Sequence, residues 1–345
     1  MARLFTAGFE TGAAEWNGGN SASSAPVAFT TSVKRTGSYS LSMTAAGVTA
    51  YFRQIFDANE TELYGRVAVQ LDSVASQRTF TFLEFRDSAN AIQFQLDYNG
   101  GTGAFDWVDN AGNTIGVGSV VIPADSWIVL EFGVVVSGSG TLTLKVNGTT
   151  STGFTGDTDF TNLGNVRSVY FRLETGPGIG VIYVDDVAIN DAEGSYKTSW
   201  IGLGGVFYLE PAADGDTTDW TPSAGSDNYA MVDDIPPDNA TTYNQAVTTG
   251  TIDLYQVDDC PEYIATINLV QVVYRAALAT SGYNEITDLI KVAGTVYNGS
   301  ESTIVPITPS YQYYLGTAHY LNPNTAAPWG TAEVNGMQAG METTT

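Results

Sequence analysis

The segment VIYVDDVAIND, residues 181 to 191, sets Asp185 and Asp186 side by side within a run of strand-forming apolar residues. Alternation along a strand sends neighbouring side chains to opposite faces, so at least one of these carboxylates needs a partner inside the protein. Other groups could do chemistry, but their spacing argues against it. Glu84 and Asp87 in LEFRDS are three apart, which puts them on opposite faces of a strand. Glycoside hydrolysis needs two carboxylates facing one another about 5–10 Å apart. Asp214, Asp216 and Asp219 in DGDTTDW read as a solvated loop. They lack the glycine and the distant glutamate that a calcium loop places at set offsets. His319, the one histidine, has no Gly-x-Ser-x-Gly elbow to serve as a base; a hydrogen-bonded strand histidine is its other reading. Trp107 sits in the turn-rich GAFDWVDNAGN beside Asp106, Asp109 and Asn110. A loop aromatic with such neighbours offers a stacking face and hydrogen bonds to a sugar ring; the alternative is that Trp107 covers a core edge.

The elements that would position these residues are strands. Thirty-seven glycines, nineteen tyrosines and abundant Thr, Ser and Val favour strands and tight turns over helices. RTGSYSLSMTA alternates at Tyr39, Leu41 and Met43, and RTFTFLEFRDSANAIQFQLDYNGG reads as two strands around a polar turn. In TLTLKVNGTTSTGF, Asn147-Gly148 supplies the two positive-φ positions of a tight hairpin. SWIVLEFGVVV and RSVYFRL add further strands, a cadence of sandwiches and not of βαβ units. After residue 192 the composition shifts to Asp, Pro, Gly and Ser. The chain then continues through EYIATINLVQVVYRAAL, read as a buried strand with a helix as the alternative, and two further strand segments. In PWGTAEVNGMQAGME, Thr331 stands at an N-cap position, Glu333 in the first turn and Gly340 at the stop, which predicts one short helix.

Thirteen basic residues against thirty-seven acidic ones give a net charge of −24. No cationic face is available to wrap a phosphate backbone or an anionic membrane. One cysteine, Cys260, excludes an intrachain disulfide and, with one histidine, a Cys/His zinc site. The start MARLFTAGFETG has no apolar run of signal-peptide length, and no segment approaches 18 consecutive apolar residues. The expectation is synthesis in a cytoplasm without export by an N-terminal signal and without membrane insertion.

Three motifs in order, GFETGAAEW, VKRTGSYSLSM and YVDDVAIN, resemble the concanavalin-A-like and carbohydrate-binding-module jelly rolls over about residues 4 to 192. The resemblance implies that the opening and closing strands lie side by side. It also implies that a structural calcium joins them through Glu10 and Asp186, with a carbonyl near Gly37 or Ser38. The alternative is that Asp185 meets solvent and Asp186 accepts backbone N–H bonds. Residues 193 to 345 resemble a C-terminal domain of tailed-bacteriophage virion structural proteins, through Val232 to Pro237, Gly250 to Tyr255 and Trp329 to Gly340. Asp234 stands where a glutamate is usual, and Gly330 is inserted between Trp329 and Thr331.

The expected architecture is all-β: two β-sandwich (jelly-roll-like) domains, residues 1–192 and 193–345, with one short C-terminal helix. What the resemblances imply is a non-enzymatic structural component exposed on a phage particle, in a tail fibre, tail tip or other appendage. Its partners would be copies of itself, other virion proteins and a host cell-surface glycan, with no nucleic acid. The alternatives are a capsid decoration or head-fibre protein, a free carbohydrate-binding lectin-like module, and a depolymerase whose acids come from different strands.

Overall fold

The computed structural model describes residues 3–12, 21–23, 27–44, 47–174, 180–278, 285–299 and 310–344. The end of the opening motif, residues 13 to 16, therefore lies outside them. The chain is all-β, and it forms two units. The first takes Met1–Gly12 and Gly19–Phe207, the second Ala13–Gly18 and Tyr208–Thr345. The seam falls after Phe207, whereas composition shifts after residue 192.

The first unit runs through β1 (Arg3–Ala7), β2 (Ser21–Ser23), β3 (Val27–Thr30), β4 (Ser40–Thr44), β5 (Ala50–Glu60), β6 (Glu62–Leu71), β7 (Phe80–Arg86) and β8 (Ile92–Asn99). It continues through β9 (Ala104–Asp109), β10 (Thr114–Gly116), β11 (Ile128–Val135), β12 (Gly140–Val146), β13 (Thr149–Gly156), β14 (Val166–Leu173) and β15 (Val181–Asp191). An eight-stranded antiparallel sheet has the order β13-β12-β11-β6-β15-β4-β3, with β1 also paired to β15. A seven-stranded sheet has the order β10-β9-β8-β7-β14-β5-β2. Opening strand β1 and closing strand β15 are direct neighbours, Phe5 opposite Ile189 and Ala7 opposite Val187. Alternation supplies the core: Leu41, Met43, Phe52, Phe85, Phe94, Phe105, Phe132 and Phe171 are all fully buried. Phe52 stacks on Phe171 with centroids 4.3 Å apart, across a registered pair of β5 and β14. The β12–β13 hairpin turns at Asn147 (φ 48°) and Gly148 (φ 81°), two left-handed positions that an Asn-Gly pair adopts at little cost.

The second unit holds β16 (Pro211–Thr218), β17 (Thr221–Pro222), β18 (Asn244–Gln245), β19 (Ile252–Val257), β20 (Val273–Ala276), β21 (Ile286–Val292), β22 (Thr295–Asn298) and β23 (Gln312–Leu315), then α1 (Thr331–Asn335) and β24 (Gln338–Thr343). A five-stranded antiparallel sheet, β16-β19-β24-β21-β22, is joined by two two-stranded ribbons, β17-β18 and β20-β23. Val270, Ile290, Val292, Trp329, Val334 and Met337 form its main apolar cluster. The long segment read as one strand is mostly irregular, and only Val273–Ala276 pairs in a ladder. Helix α1 starts one residue early: Gly330 is the N-cap, and its N–H donates to Glu333 Oε2 at 2.7 Å. The stop is Gly336, while Gly340 lies in β24. Asp214 and Asp216 stand on edge strand β16 and not in a loop.

Candidate functional site

The paired aspartates answer to a bulge. The β15–β6 register shifts between Asp185, opposite Ala68, and Ala188, opposite Arg66. Asp186 takes φ 54°, and both carboxylates turn inward with no exposed surface. Asp185 accepts the N–H groups of Arg35 (3.0 Å), Thr36 (3.3 Å) and Asp186 (2.8 Å). Burial and the adjacent Asp186 carboxylate push its pKa up, against those three donors. Asp186 accepts from Arg35 Nη1 (2.5 Å), Thr36 Oγ1 (2.7 Å) and Val206 N–H (2.5 Å), while Arg66 Nε donates to its carbonyl at 3.1 Å.

Glu10 and Asp186, the pair a structural calcium would use, do not fit that ion. Glu10 accepts the N–H of Ser38 at 2.5 Å, and a Cβ on Gly37 would lie 2.2 Å from its carboxyl group. Gly37 itself is left-handed, φ 56°. The glutamate thus braces the turn before β4. At Asp186 the guanidinium of Arg35 supplies the positive charge. Calcium takes six to eight oxygens, and here the carboxylate oxygens are engaged by N–H, hydroxyl and guanidinium donors. Among the described residues no group of three His, Cys, Asp or Glu is placed to hold a metal. The first and last strands meet through their backbone ladder, Phe5 opposite Ile189 and Ala7 opposite Val187.

Trp107 is a core residue. The stretch around it is strand β9, so a period of two puts Trp107 on the side of Phe105, inside the sandwich. It has no exposed surface and packs between Phe85 and Phe94, centroids 5.9 and 6.0 Å away. It offers no face to a sugar. Asp109 ends β9 and accepts from the Ala111 and Asn113 N–H groups of the β9–β10 turn, in which Asn110 donates to the Phe160 carbonyl. Asp106 points the other way, accepting from Gly118 N–H (2.8 Å) and Asn99 Nδ2 (3.1 Å).

The outward faces of the two sheets differ. Residues 200–206 cross the eight-stranded sheet as a strap. Trp200 lies against Gly133, where a Cβ would come within 3.0 Å of its ring, and meets Tyr64 edge-on at 5.5 Å. Lys145 Nζ sits 3.5 Å from the same ring centre, and Gly202 N–H donates to Glu131 at 2.8 Å.

The seven-stranded sheet presents a row of long polar side chains instead. Cross-strand register aligns Arg53, Tyr170, Glu84, Gln95 and Val108 over β5, β14, β7, β8 and β9. Four strand spacings make that row about 19 Å long. One step along lie Tyr51 and Arg172, opposite each other on β5 and β14, and Thr81, Asp97 and Asp106, aligned over β7, β8 and β9. Arg86 lies on the other side of Glu84. Glu84 is fully buried and accepts from Arg86 Nε (2.9 Å) and Nη2 (2.6 Å), and Arg172 contacts its other oxygen. Tyr170 anchors the middle. Arg53 Nη1 donates to its hydroxyl at 2.5 Å, Arg86 lies 4.6 Å from its ring centre, and Tyr51 packs at 5.7 Å. Arg86 and Arg172 keep about a fifth of their side-chain surface in solvent. Burial pushes the Asp97 carboxyl up. Aromatic rings beside guanidinium, amide and carboxylate groups are what a pyranose needs: apolar C–H faces to stack and hydroxyls to bond. The signal was in the alternation, since YFR, QFQLD and SVYFR each put Phe or Leu on one face and Tyr, Arg, Gln or Asp on the other.

The second unit buries acids of its own. Asp253 is fully buried, accepting from Tyr255 Oη (2.5 Å) and Asn228 Nδ2 (2.8 Å); burial pushes it up to about 6 against those bonds. His319 pairs through its backbone with Val270, and burial lowers its pKa.

No family model matches the chain, and no curated protein does. Among solved structures it is similar to a cellulose-induced protein, Cip1, at 18% identity and TM-score 0.44, over 58% of this chain and 100% of that one. It is similar to domain 4 of an extracellular arabinanase from Geobacillus stearothermophilus, in complex with arabinotriose, at 14% identity and TM-score 0.40, over 55% and 93%. A third is an endo-β-1,4-glucuronan lyase from Trichoderma reesei, 12% identical with TM-score 0.36, over 49% and 87%. These neighbours are β-sandwiches. At such scores they say nothing of what this chain binds, and none of the three is a virion protein.

Proposed function

We propose that the protein is a non-enzymatic structural component whose first unit binds a glycan on the outer face of the seven-stranded sheet. The observation that carries this is the registered row Arg53–Tyr170–Glu84–Gln95, flanked by Tyr51, Arg172 and Asp97, on the sheet that the strap of residues 200–206 does not cross. Two features support binding over turnover. The carboxylate at the centre of the row, Glu84, is held by two arginines and so is poorly placed to move a proton. The one histidine lies in the other unit. The setting we propose is a tailed-phage particle, with the protein assembled in the host cytoplasm, repeated through self-association and exposed to host glycans. That setting rests on the sequence resemblance of residues 193 to 345 and on acidity that keeps a surface from sticking to DNA.

The test is the full chain on an immobilised-glycan array, beside a Tyr51→Ala/Gln95→Ala variant. Binding by the wild type, lost in a variant with an unchanged melting profile, is the expected result. Absence of any binder would remove the reading, and release of shortened or unsaturated sugar products would replace it with an enzyme. Mass spectrometry of purified particles tests the setting, which fails if the chain occurs only in the unassembled fraction.

A further inference from the structure

We propose that the glycan taken by this face is carboxylated, and that Arg53 is the residue that reads its carboxylate; the inference rests on the glycan-binding reading above. The chain has only thirteen basic residues at a net charge of −24, yet three arginines, Arg53, Arg86 and Arg172, surround Tyr170 on one sheet face. Two of them are balanced. Arg86 is matched by Glu84, and Arg172 by Glu84 and by Glu174 at 3.2 Å. Arg53 is not. Its contacts are the Tyr170 hydroxyl at 2.5 Å and the Tyr170 ring at 5.4 Å, with no carboxylate partner among the described residues.

A half-buried guanidinium without a counter-charge keeps part of its desolvation cost. A ligand carboxylate removes it, and the planar fork of Arg meets a carboxylate with two parallel hydrogen bonds. Glu84 is then a positioning residue: buried within the row, it fixes Arg86 and Arg172 and leaves Arg53 as the arginine beside Tyr170 without a carboxylate partner among the described residues. Gln95 and Asp97, two strands away, face the sugar hydroxyls. The unmatched arginine thus stands over β5, and the carboxylates Asp97 and Asp106 over β8 and β9. That polarity suits uronate residues, each carrying one carboxylate and several hydroxyl donors.

Calorimetry on the full chain tests this with three probes: a galacturonate hexamer, the same hexamer carboxyl-reduced to galactose, and dextran sulfate. The expected result is that reduction weakens binding by about tenfold or more, the scale of one charge-assisted bidentate contact. Arg53→Gln should lose more affinity towards the uronate than towards the reduced hexamer, narrowing the gap between the two, and Arg53→Lys should restore part of that gap. Equal affinity for the two hexamers overturns the proposal. So does preference for dextran sulfate over the uronate, or an Arg53→Gln variant that binds uronate like the wild type. In those cases, loss in the Tyr51→Ala/Gln95→Ala variant leaves the glycan reading standing. If no probe and no array glycan binds, both fall. Should Arg53→Gln misfold, the wild-type comparison of the two hexamers decides.

Discussion

Asp186→Asn isolates the charge that closes the first unit. The wild-type carboxylate is fully buried and accepts from Arg35, Thr36 and Val206. Asparagine preserves volume and tolerates the φ of 54°, so the substitution removes charge without adding backbone strain. Removing one partner of a buried ion pair costs about 3–5 kcal/mol. Arg35 keeps 24% of its side-chain surface exposed and can turn towards water, which places the loss near the lower end, about 3 kcal/mol. For a domain of this size that lowers Tm by roughly 6–12 °C. Asp186→Ala should cost about 1 kcal/mol more, because alanine is strained at positive φ. Scanning calorimetry of the full chain, with calcium and with EDTA, measures both effects. The reasoning predicts the same wild-type Tm in the two buffers. It is refuted if Asp186→Asn melts within a degree of wild type, or if EDTA lowers the wild-type Tm and calcium restores it.

Trp107→Ala should destabilise the first unit by about 3–5 kcal/mol, as expected for emptying a large buried aromatic site. The fraction that remains folded should bind glycan like wild type; selective loss of binding at unchanged stability would return Trp107 to the ligand site. Asp253 gives a pH signature in the second unit. Its folded-state pKa is raised to about 6 from 3.8, so the folded state holds the proton more tightly than the unfolded chain between those values. Stability from this group is full below about pH 4 and falls until about pH 6. Asp253→Asn should flatten that part of the pH–stability curve, measured by urea unfolding; an unchanged slope would place the titration elsewhere.

Local chemistry made the frame legible in the sequence. Asn147-Gly148 dictates a hairpin whatever surrounds it, and the apolar positions of SLSM and FTFLEF mark strands that feed the core. Two kinds of information were not local. The bulge at Asp186 breaks the alternation on which the reading of Asp185 and Asp186 depended, and its cause is a set of partners 20 to 151 residues away in the chain. Trp107 looked like a loop aromatic because glycines, Asp and Asn crowd its neighbourhood. Pairing with β8 and β10 makes the same residues a strand and turns the indole inward. The Arg–Tyr–Glu–Gln row was present as polar positions on four separate strands, and only their register brings the positions into one line. Residues 193 to 207 looked like the start of a second domain by composition, yet Trp200 and Gly202 belong to the first through Gly133 and Glu131.

Hydrogen-exchange footprinting of the full chain with the tightest binder from the array tests the central claim most directly. The account predicts slowed exchange in β5, β14, β7 and β8, with the strap at residues 200–206 and the turn at 109–113 unchanged. Protection confined to the strap, to that turn or to the second unit would contradict it.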